Sequence, residues 1–498
     1  MEAMLTGFAS IAQVDLLLVM LAAVLLGSFF GIVPGLGGTV GLALTIPFLF
    51  GVEPIYGIVF LVSMHAVVHT GASIPAILFG VPGTSPTAAT ILDGHPMAEQ
   101  GRAGVAMGAQ LAASGIGGVG GALALAALIP VLTPVAMAMN APTIFALIVF
   151  GMTFIVAVSR TSIPEGFIAA LFGMLIAMVG LNPHTGIGRF TFGQLWLWDG
   201  ISIVVVVLGV FGFAEMIALG ARGVDSTIAE GDVEIEMRWS QLWEGTKAVF
   251  QNWWLTLRTS VMGAVIGIVP GLGGDAATWI CYAHAAQTCK NNENFGNGDV
   301  RGVIAVETTN NAKEGGALLP TVVFGIPGSS GMAILMGAFL IMGITPGPEM
   351  LTEHLDMIWA IVGILVISNL LCMFALYPLS GFAAKLTFVR STYVVPPILI
   401  LMAVGAFIVR GVWQDVVLAV ILGFVGYGMK KWGFPRGPLV LGFVLAPLAE
   451  NYLIKSLGLY GVSFVTQPIP LILLFLAILS LGYGSWESRK GKIAQGDE

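Results

Sequence analysis

The sequence predicts an all-α polytopic membrane protein built from two related halves, and three observations carry that prediction. The chain of 498 residues is 57% hydrophobic and only 9% charged, against about 25% charged in soluble domains. No Asp, Glu, Lys or Arg occurs between Asp15 and Glu53 or between Arg102 and Arg160, although one spanning helix needs only about 20 apolar residues. An eight-residue stretch, Gly-Ile-Val-Pro-Gly-Leu-Gly-Gly, occurs at residues 31–38 and again at 267–274.

Each copy interrupts an apolar run with a proline and glycines, which forces backbone N–H and C=O groups out of helical pairing at a depth where lipid cannot satisfy them. Such backbone must face protein or a water-filled cavity. Matching breaks in two halves of a membrane protein point to the central site of a transporter. The expected architecture is roughly ten to twelve membrane segments in two inverted structural repeats, with broken helices and re-entrant hairpins.

The first repeat, residues 1–220, opens with an apolar helix from about Leu16, breaks at Pro34-Gly35 and resumes as a half-helix from Thr39 to Phe50. A helix over 56–69 carries Ser63, His65 and His69. It leads into PAILFGVPGTSP at 75–86. The stretch between Gly71 and Pro82 is too short to span, so it reads as a re-entrant limb with its tip at Pro82-Gly83. Asp93, Glu99 and Arg102 in the next polar stretch read as ion-pairing residues at a membrane surface. Spans follow at about 103–130, 142–158, 164–179 and 201–219.

Residues 221–258 shift in composition, and Trp239, Leu242, Trp243, Phe250, Trp253, Trp254 and Leu257 recur at helical spacing with polar residues between them. That is the pattern of an amphipathic helix lying in the headgroup plane, and it marks a cytoplasmic linker between the halves. The second repeat, 259–498, returns to the first at an offset of 236 residues (Gly31 to Gly267). After a polar insertion near Lys290 to Asp299 the offset is 245, as PAILFGVPGTS at 75–85 becomes PTVVFGIPGSS at 320–330. Two motif blocks in the same order argue for duplication. Spans are expected at about 358–375, 394–407, 413–429, 438–446 and 468–481.

Orientation follows the placement of Lys and Arg. Glu2 and Asp15 precede the first span with no basic residue, which argues against a cleavable signal peptide and for an external N-terminus. Arg222, Arg238 and Lys247, then Lys430, Lys431 and Arg436, then Arg489, Lys490 and Lys492, mark cytoplasmic segments. The two breaks would then enter from opposite faces. Cys281, Cys289 and Cys372 are too irregularly spaced for a disulfide framework or metal knuckle, and read as small apolar fillers.

The duplicated GIVPGLGG breaks, SIPAILFGVPGT running into ILDGHPMAEQG, ETTNNA at 307–312, LLPTVVFGIPGSS followed by GITPGPEML, RFTFG from Arg189 and GFPRGPLVLGFVLAPLAE occur in order over nearly the whole chain. Together they resemble the large membrane subunit, TctA, of the tripartite tricarboxylate transporters. His95 departs from the family pattern, standing where an aromatic residue is expected. The resemblance implies a multi-pass carrier in the bacterial inner membrane that imports organic di- or tricarboxylates, delivered by a periplasmic solute-binding protein. It further implies a small membrane subunit of about four helices and a driving ion gradient of Na+ or H+. No other cofactor is expected. Lipid surrounds the chain, nucleic acid is not expected, and a homodimer is one of the assembly states left open.

The residues offer a chemistry that fits. Half-helices starting near Gly35, Gly37 and Gly38, and near Gly271, Gly273 and Gly274, present unpaired N–H groups and a positive dipole end. The tips Pro82-Gly83 and Pro327-Gly328 do likewise, so an anionic carboxylate can be held without a buried arginine. Hydroxyls of Ser73, Thr84, Ser85, Thr87, Ser329 and Ser330 and the amides of Asn310 and Asn311 are candidates to orient the cargo or ligate Na+. Plain helix kinks are the competing reading of the Pro-Gly pairs. Asp275 replaces Thr39 at the equivalent position and is a candidate coupling-ion group, with helix capping as the alternative. Glu307, with Asn310 and Asn311, is a second coupling candidate; Glu307 and Glu314, which flank the two asparagines, are both candidate ion or proton sites, with partly hydrated neighbours of a polar loop as the alternative. His65 and His69 lie one turn apart with no third metal ligand evident, and read as structural hydrogen-bonding residues.

Two other functions compete. An intramembrane enzyme lacks any His-Glu-x-x-His or Gly-x-Ser-x-Gly motif and leaves the duplicated breaks unexplained. A passive anion channel would show flux without concentration.

Overall fold

A computed structural model describes residues 2–33, 35–158, 163–221, 238–269, 273–387, 389 and 391–496. The chain is almost wholly helical. In order, the elements are α1 (Glu2–Ile11), α2 (Val14–Ile32), α3 (Gly37–Thr45), α4 (Pro54–Phe79), α5 (Ile91–Glu99), α6 (Ala103–Met137), α7 (Ala141–Val158) and α8 (Ile163–Ala177). A two-stranded hairpin, β1 (Gly180–Leu181) with β2 (Gly188–Arg189), follows. Then come α9 (Ile203–Val207), a π-helical turn (Leu208–Phe213) and α10 (Ala214–Ala221). Next are α11 (Trp239–Gln251), α12 (Trp253–Ile268), α13 (Gly273–Thr288), α14 (Val300–Phe324), α15 (Ser330–Ile341) and α16 (Glu349–Thr352). The chain ends with α17 (Leu355–Leu386), α18 (Ser391–Ile408), α19 (Trp413–Lys431), α20 (Arg436–Tyr460) and α21 (Pro468–Gly496). Among the described residues, six helices are long and apolar enough to cross a membrane, with shorter apolar helices between them.

The core is formed by α4 and α14, each buried along almost its full length. They are equivalents in the two halves, and they end alike. Pro75 and Pro320 lie inside the helices, and each carbonyl accepts the N–H of a left-handed glycine cap, Gly80 (φ 64°) and Gly325 (φ 65°). The sequence places a separate limb between Gly71 and Pro82, but α4 runs unbroken through Pro75 and the chain turns only after Phe79. A proline inside a helix is tolerated where neighbouring protein surrounds the freed carbonyl.

Packing repeats with the same offsets. A methyl on Gly27 would collide with the Met64 carbonyl, and one on Gly263 would stand 2.9 Å from that of Thr309. Gly31 meets the Val68 carbonyl as Gly267 meets that of Lys313, and Gly71 meets the Ser28 carbonyl as Gly316 meets that of Ala264. The breaker glycines therefore serve a second purpose: they let α2 lie backbone to backbone on α4, and α12 on α14, as small residues do at membrane helix interfaces.

Residues 222–237 of the linker lie outside the described residues. From Trp239 the amphipathic helix α11 packs on α6 through Leu242, Gly245 and Thr246. Of the seven apolar positions singled out there, Leu242 is buried, while Trp239, Trp243, Phe250, Trp253, Trp254 and Leu257 are exposed.

Candidate functional site

Three steps along one face of α14 carry its buried polar groups, and each step meets α4. Glu307 accepts hydrogen bonds from Ser73 Oγ at 2.7 Å, Thr90 Oγ1 at 2.5 Å and Ser114 Oγ at 3.1 Å. Asn311 Nδ2 donates to Thr70 Oγ1 at 2.8 Å and to Asn369 Oδ1 of α17 at 2.7 Å. Glu314 lies 3.2 Å from His65 Nε2 and 3.1 Å from His69 Nε2, and its neighbour Lys313 is its third partner. Spacings of four and three residues place 307, 311 and 314 on one side of a helix. Their α4 partners descend from Ser73 through Thr70 to His65, so the two helices run antiparallel.

Glu307 and Glu314 are both buried, not partly hydrated. An ionised carboxylate at this depth is costly unless it is hydrogen-bonded and paired. Three hydroxyl donors serve Glu307; the Lys313 ammonium serves Glu314, with both imidazoles within ion-pair distance. His65 is not the hydrogen-bonding residue the sequence suggests, since both of its ring nitrogens are buried without a hydrogen-bond partner. Asn310, on the same helix, has both amide atoms buried with no hydrogen-bond partner, as has the Thr308 hydroxyl.

The first break and the two tips converge on this stripe; residues 270–272 of the second break lie outside the described residues. Gly35 (φ 90°) and Gly37 (φ 65°) turn the chain from α2 into α3, conformations open chiefly to glycine. A Cβ on Gly83 would stand 2.5 Å from the Gly31 carbonyl, and one on Gly328 would stand 3.4 Å from the Gly267 carbonyl, so each tip rests on the break of its own repeat. The half-helices cross over: α3 packs against α15, which follows the second tip, and α13 packs against the 3-10 turn Ser85–Ala88, which follows the first. Ser329 caps α15 by accepting the Met332 N–H at 3.2 Å, and Gly331 lies against the His65 ring. Thr84 Oγ1 lies 3.2 Å from His69 Nδ1, linking the first tip to the stripe.

Not every residue singled out from sequence faces an open space. Ser73 is fully buried and committed to Glu307, and the Asn311 amide nitrogen is committed to Thr70 and Asn369. Gly35, Pro82 and Ser85 are exposed, Gly37, Gly38, Thr84, Ser329 and Ser330 are half-buried, and Gly83, Thr87, Pro327 and Gly328 are buried. Gly271 and the Asp275 side chain lie outside the described residues; Gly273 and Gly274 open α13.

Asp93 is corrected by the structure. It is buried, and its carboxylate accepts the N–H groups of Gly296, Gly298 and Asp299 at 2.8–3.0 Å and the Tyr282 hydroxyl at 2.9 Å. It therefore holds the second-repeat insertion and makes no surface ion pair. Lys313, Thr90, Ser114 and Asn369 escaped the sequence reading. Only Lys313 had a signal there, as a lysine inside a stretch of spanning length.

The whole of this core lies within a match to the tripartite tricarboxylate transporter TctA family model, which covers residues 17–441. The chain belongs to that family. It is 33% identical over 459 residues, 91% of this chain and 90% of the relative, to an uncharacterized 52.8 kDa protein in the TAR-I ttuC' 3' region of Agrobacterium vitis. A second protein, from the TAR-II ttuC' 3' region of the same organism, is 33% identical over 220 residues, 44% of this chain and 91% of that protein. No solved structure matches. The TctA chain is thus a multi-pass membrane subunit of a tripartite tricarboxylate transporter, a system with further subunits that include a binding protein.

Proposed function

We propose that this subunit is the translocating core of a secondary active carrier. It imports organic di- or tricarboxylates across the bacterial inner membrane by alternating access, taking them from a periplasmic solute-binding protein and working with a small four-helix membrane subunit. One observation carries the reading: two tips, each resting on the helix end of its own repeat at Gly31 or Gly267, with half-helices that cross to the other repeat, flank one buried polar stripe. The N-termini of α3, α13 and α15 direct free N–H groups and positive dipole ends toward the tips, which suits a carboxylate. Pro82 of the first tip is exposed and its equivalent Pro327 is buried, which fits a conformation open on one side. Opposite insertion of the repeats would let the same contacts rebuild on the other side.

Cation coupling accompanies the cycle, through Asp275, Glu307, Asn310 and Asn311. The idle amide of Asn310 is the observation that favours an added ligand there, since a buried amide left unpaired costs about 1–3 kcal/mol. The test is concentrative uptake into proteoliposomes holding both membrane subunits, with the binding protein and its carboxylate outside. Uptake that collapses with the ion gradient supports the carrier, and flux indifferent to the gradient contradicts it. Asp275→Asn is expected to change the Na+ or pH dependence of uptake; the same dependence in the variant would remove Asp275 from the coupling site.

A further inference from the structure

His69 and Glu314 occupy equivalent positions of the two repeats, at the offset of 245 that also relates Gly80 to Gly325 and Thr84 to Ser329. They are also in contact, 3.1 Å apart. Equivalent residues that touch mark the axis relating the halves. This axis passes near the middle of both core helices, about 15 residues along α4 and about 15 along α14. Four ionisable side chains meet there: His65 and His69 from α4, and Lys313 and Glu314 from α14. All four are nine-tenths or more buried, and neither ring nitrogen of His65 has a hydrogen-bond partner. Among the described residues, the neighbouring elements add no further charge to the cluster. Toward the stripe α6 brings Gln110 and Ser114, α17 brings Ser368, Asn369 and the Cys372 thiol, the first tip brings Thr84, and α15 brings Gly331.

The contacts assign the resting charges. Glu314 accepts from Lys313 and the two charges cancel; His69 Nε2, 3.1 Å from a Glu314 oxygen, carries the ring hydrogen, because a lone pair there would face the carboxylate. His69 Nδ1 is then a free lone pair facing the Thr84 hydroxyl, which must donate to it. One more proton on Nδ1 reverses that bond. Nδ1–H becomes the donor, Thr84 Oγ1 becomes the acceptor, and the Thr84 hydroxyl hydrogen is released to another acceptor.

We infer that His69, held by Glu314 on the axis between the repeats, binds the proton that is transported with the cargo, and that it reports its charge to the first tip by turning the Thr84 hydroxyl outward. A water-borne proton adds to the Nδ1 lone pair, no other covalent bond breaks, and the cluster gains one positive charge. The released Thr84 O–H and that charge both favour a carboxylate at the tip. By reciprocity a bound carboxylate favours the proton. The assignment rests on the carrier reading above and deepens it.

The test has two arms. Protein labelled with 15N-histidine in nanodiscs is titrated from pH 8 to pH 3 without cargo, the six histidines being assigned by single substitution. His69 is expected to go from singly to doubly protonated in the wild type and in Thr84→Val. A His69 signal unchanged down to pH 3 overturns the site, even if His69→Gln does not fold. In the second arm, proteoliposomes with the small subunit and the binding protein are offered citrate or succinate at pH 6 and pH 8. Wild-type uptake is expected to rise toward low pH, by up to about tenfold per pH unit for one linked proton. The ratio is expected to be flat in His69→Gln and in Thr84→Val. An unchanged ratio in both variants overturns the coupling role. Absence of uptake of any carboxylate by the wild type, with His69 still titrating, overturns the carrier reading and leaves the proton site standing.

Discussion

Replacing Gly83 by alanine is the sharpest perturbation of the tips, because the two repeats answer it differently. A Cβ at Gly83 would stand 2.5 Å from the Gly31 carbonyl oxygen, 2.7 Å from Ala72 Cα and 2.9 Å from Ala72 Cβ. Carbon contacts normally sit at about 3.5–4.0 Å. Two of the three atoms are backbone of helices locked by their own glycine contacts, so no side chain can swing aside. Overpacking of this kind costs about 1–3 kcal/mol. At Gly328 the nearest atoms are Ala317 Cβ at 3.2 Å, Ala317 Cα at 3.3 Å and the Gly267 carbonyl at 3.4 Å, so a shift of a few tenths of an ångström suffices. If transport must visit this packed state, 1–3 kcal/mol lowers its population by about 5- to 150-fold. Gly83→Ala is therefore expected to cut the initial uptake rate strongly and lower the detergent melting temperature, while Gly328→Ala stays near wild type. Equal rates and equal melting temperatures in the two variants would refute the packing argument.

Two further substitutions separate structure from function. Asn310→Leu removes a buried, unpartnered amide, so the melting temperature is expected to rise, by an amount equivalent to about 1–3 kcal/mol, while uptake is lost. A lower melting temperature would mean that the amide has partners after all. Asp93→Ala strips three backbone N–H groups and the Tyr282 hydroxyl of their acceptor, at a cost of about 1–3 kcal/mol. Limited proteolysis is expected to cut the variant between residues 290 and 299 much faster than the wild type; equal rates would remove Asp93 as the anchor of that insertion.

The elements most legible in the sequence were those written in backbone chemistry. The first GIVPGLGG copy reads as a break, and α2 does stop at Ile32 with α3 starting at Gly37. The offset of 245 between Pro75 and Pro320 recurs in the glycine caps that their carbonyls accept. What escaped was set by tertiary surroundings. Pro75 reads as a breaker, yet α4 continues through it because protein and not lipid lies around it. With Glu307, Asn310, Asn311, Lys313 and Glu314, α14 is not among the six apolar spans, although its 25 residues are long enough and it lies at the centre of the molecule. Hydropathy reports the surface that lipid touches, and α14 is covered by α6, α12 and α4. The contacts that define the stripe, such as Ser73 with Glu307, join residues 234 apart. No local pattern carries such pairings.

The claim that both tips serve one carboxylate path is tested most directly by accessibility. In a background with Cys281, Cys289 and Cys372 replaced, single cysteines at Thr84 and Ser329 are reacted with a membrane-impermeant maleimide in reconstituted vesicles, with and without the loaded binding protein and an ion gradient. The account predicts that turnover changes the labelling rates at both positions in opposite senses and that bound carboxylate slows both. Rates at the two positions that ignore cargo and gradient alike would contradict it.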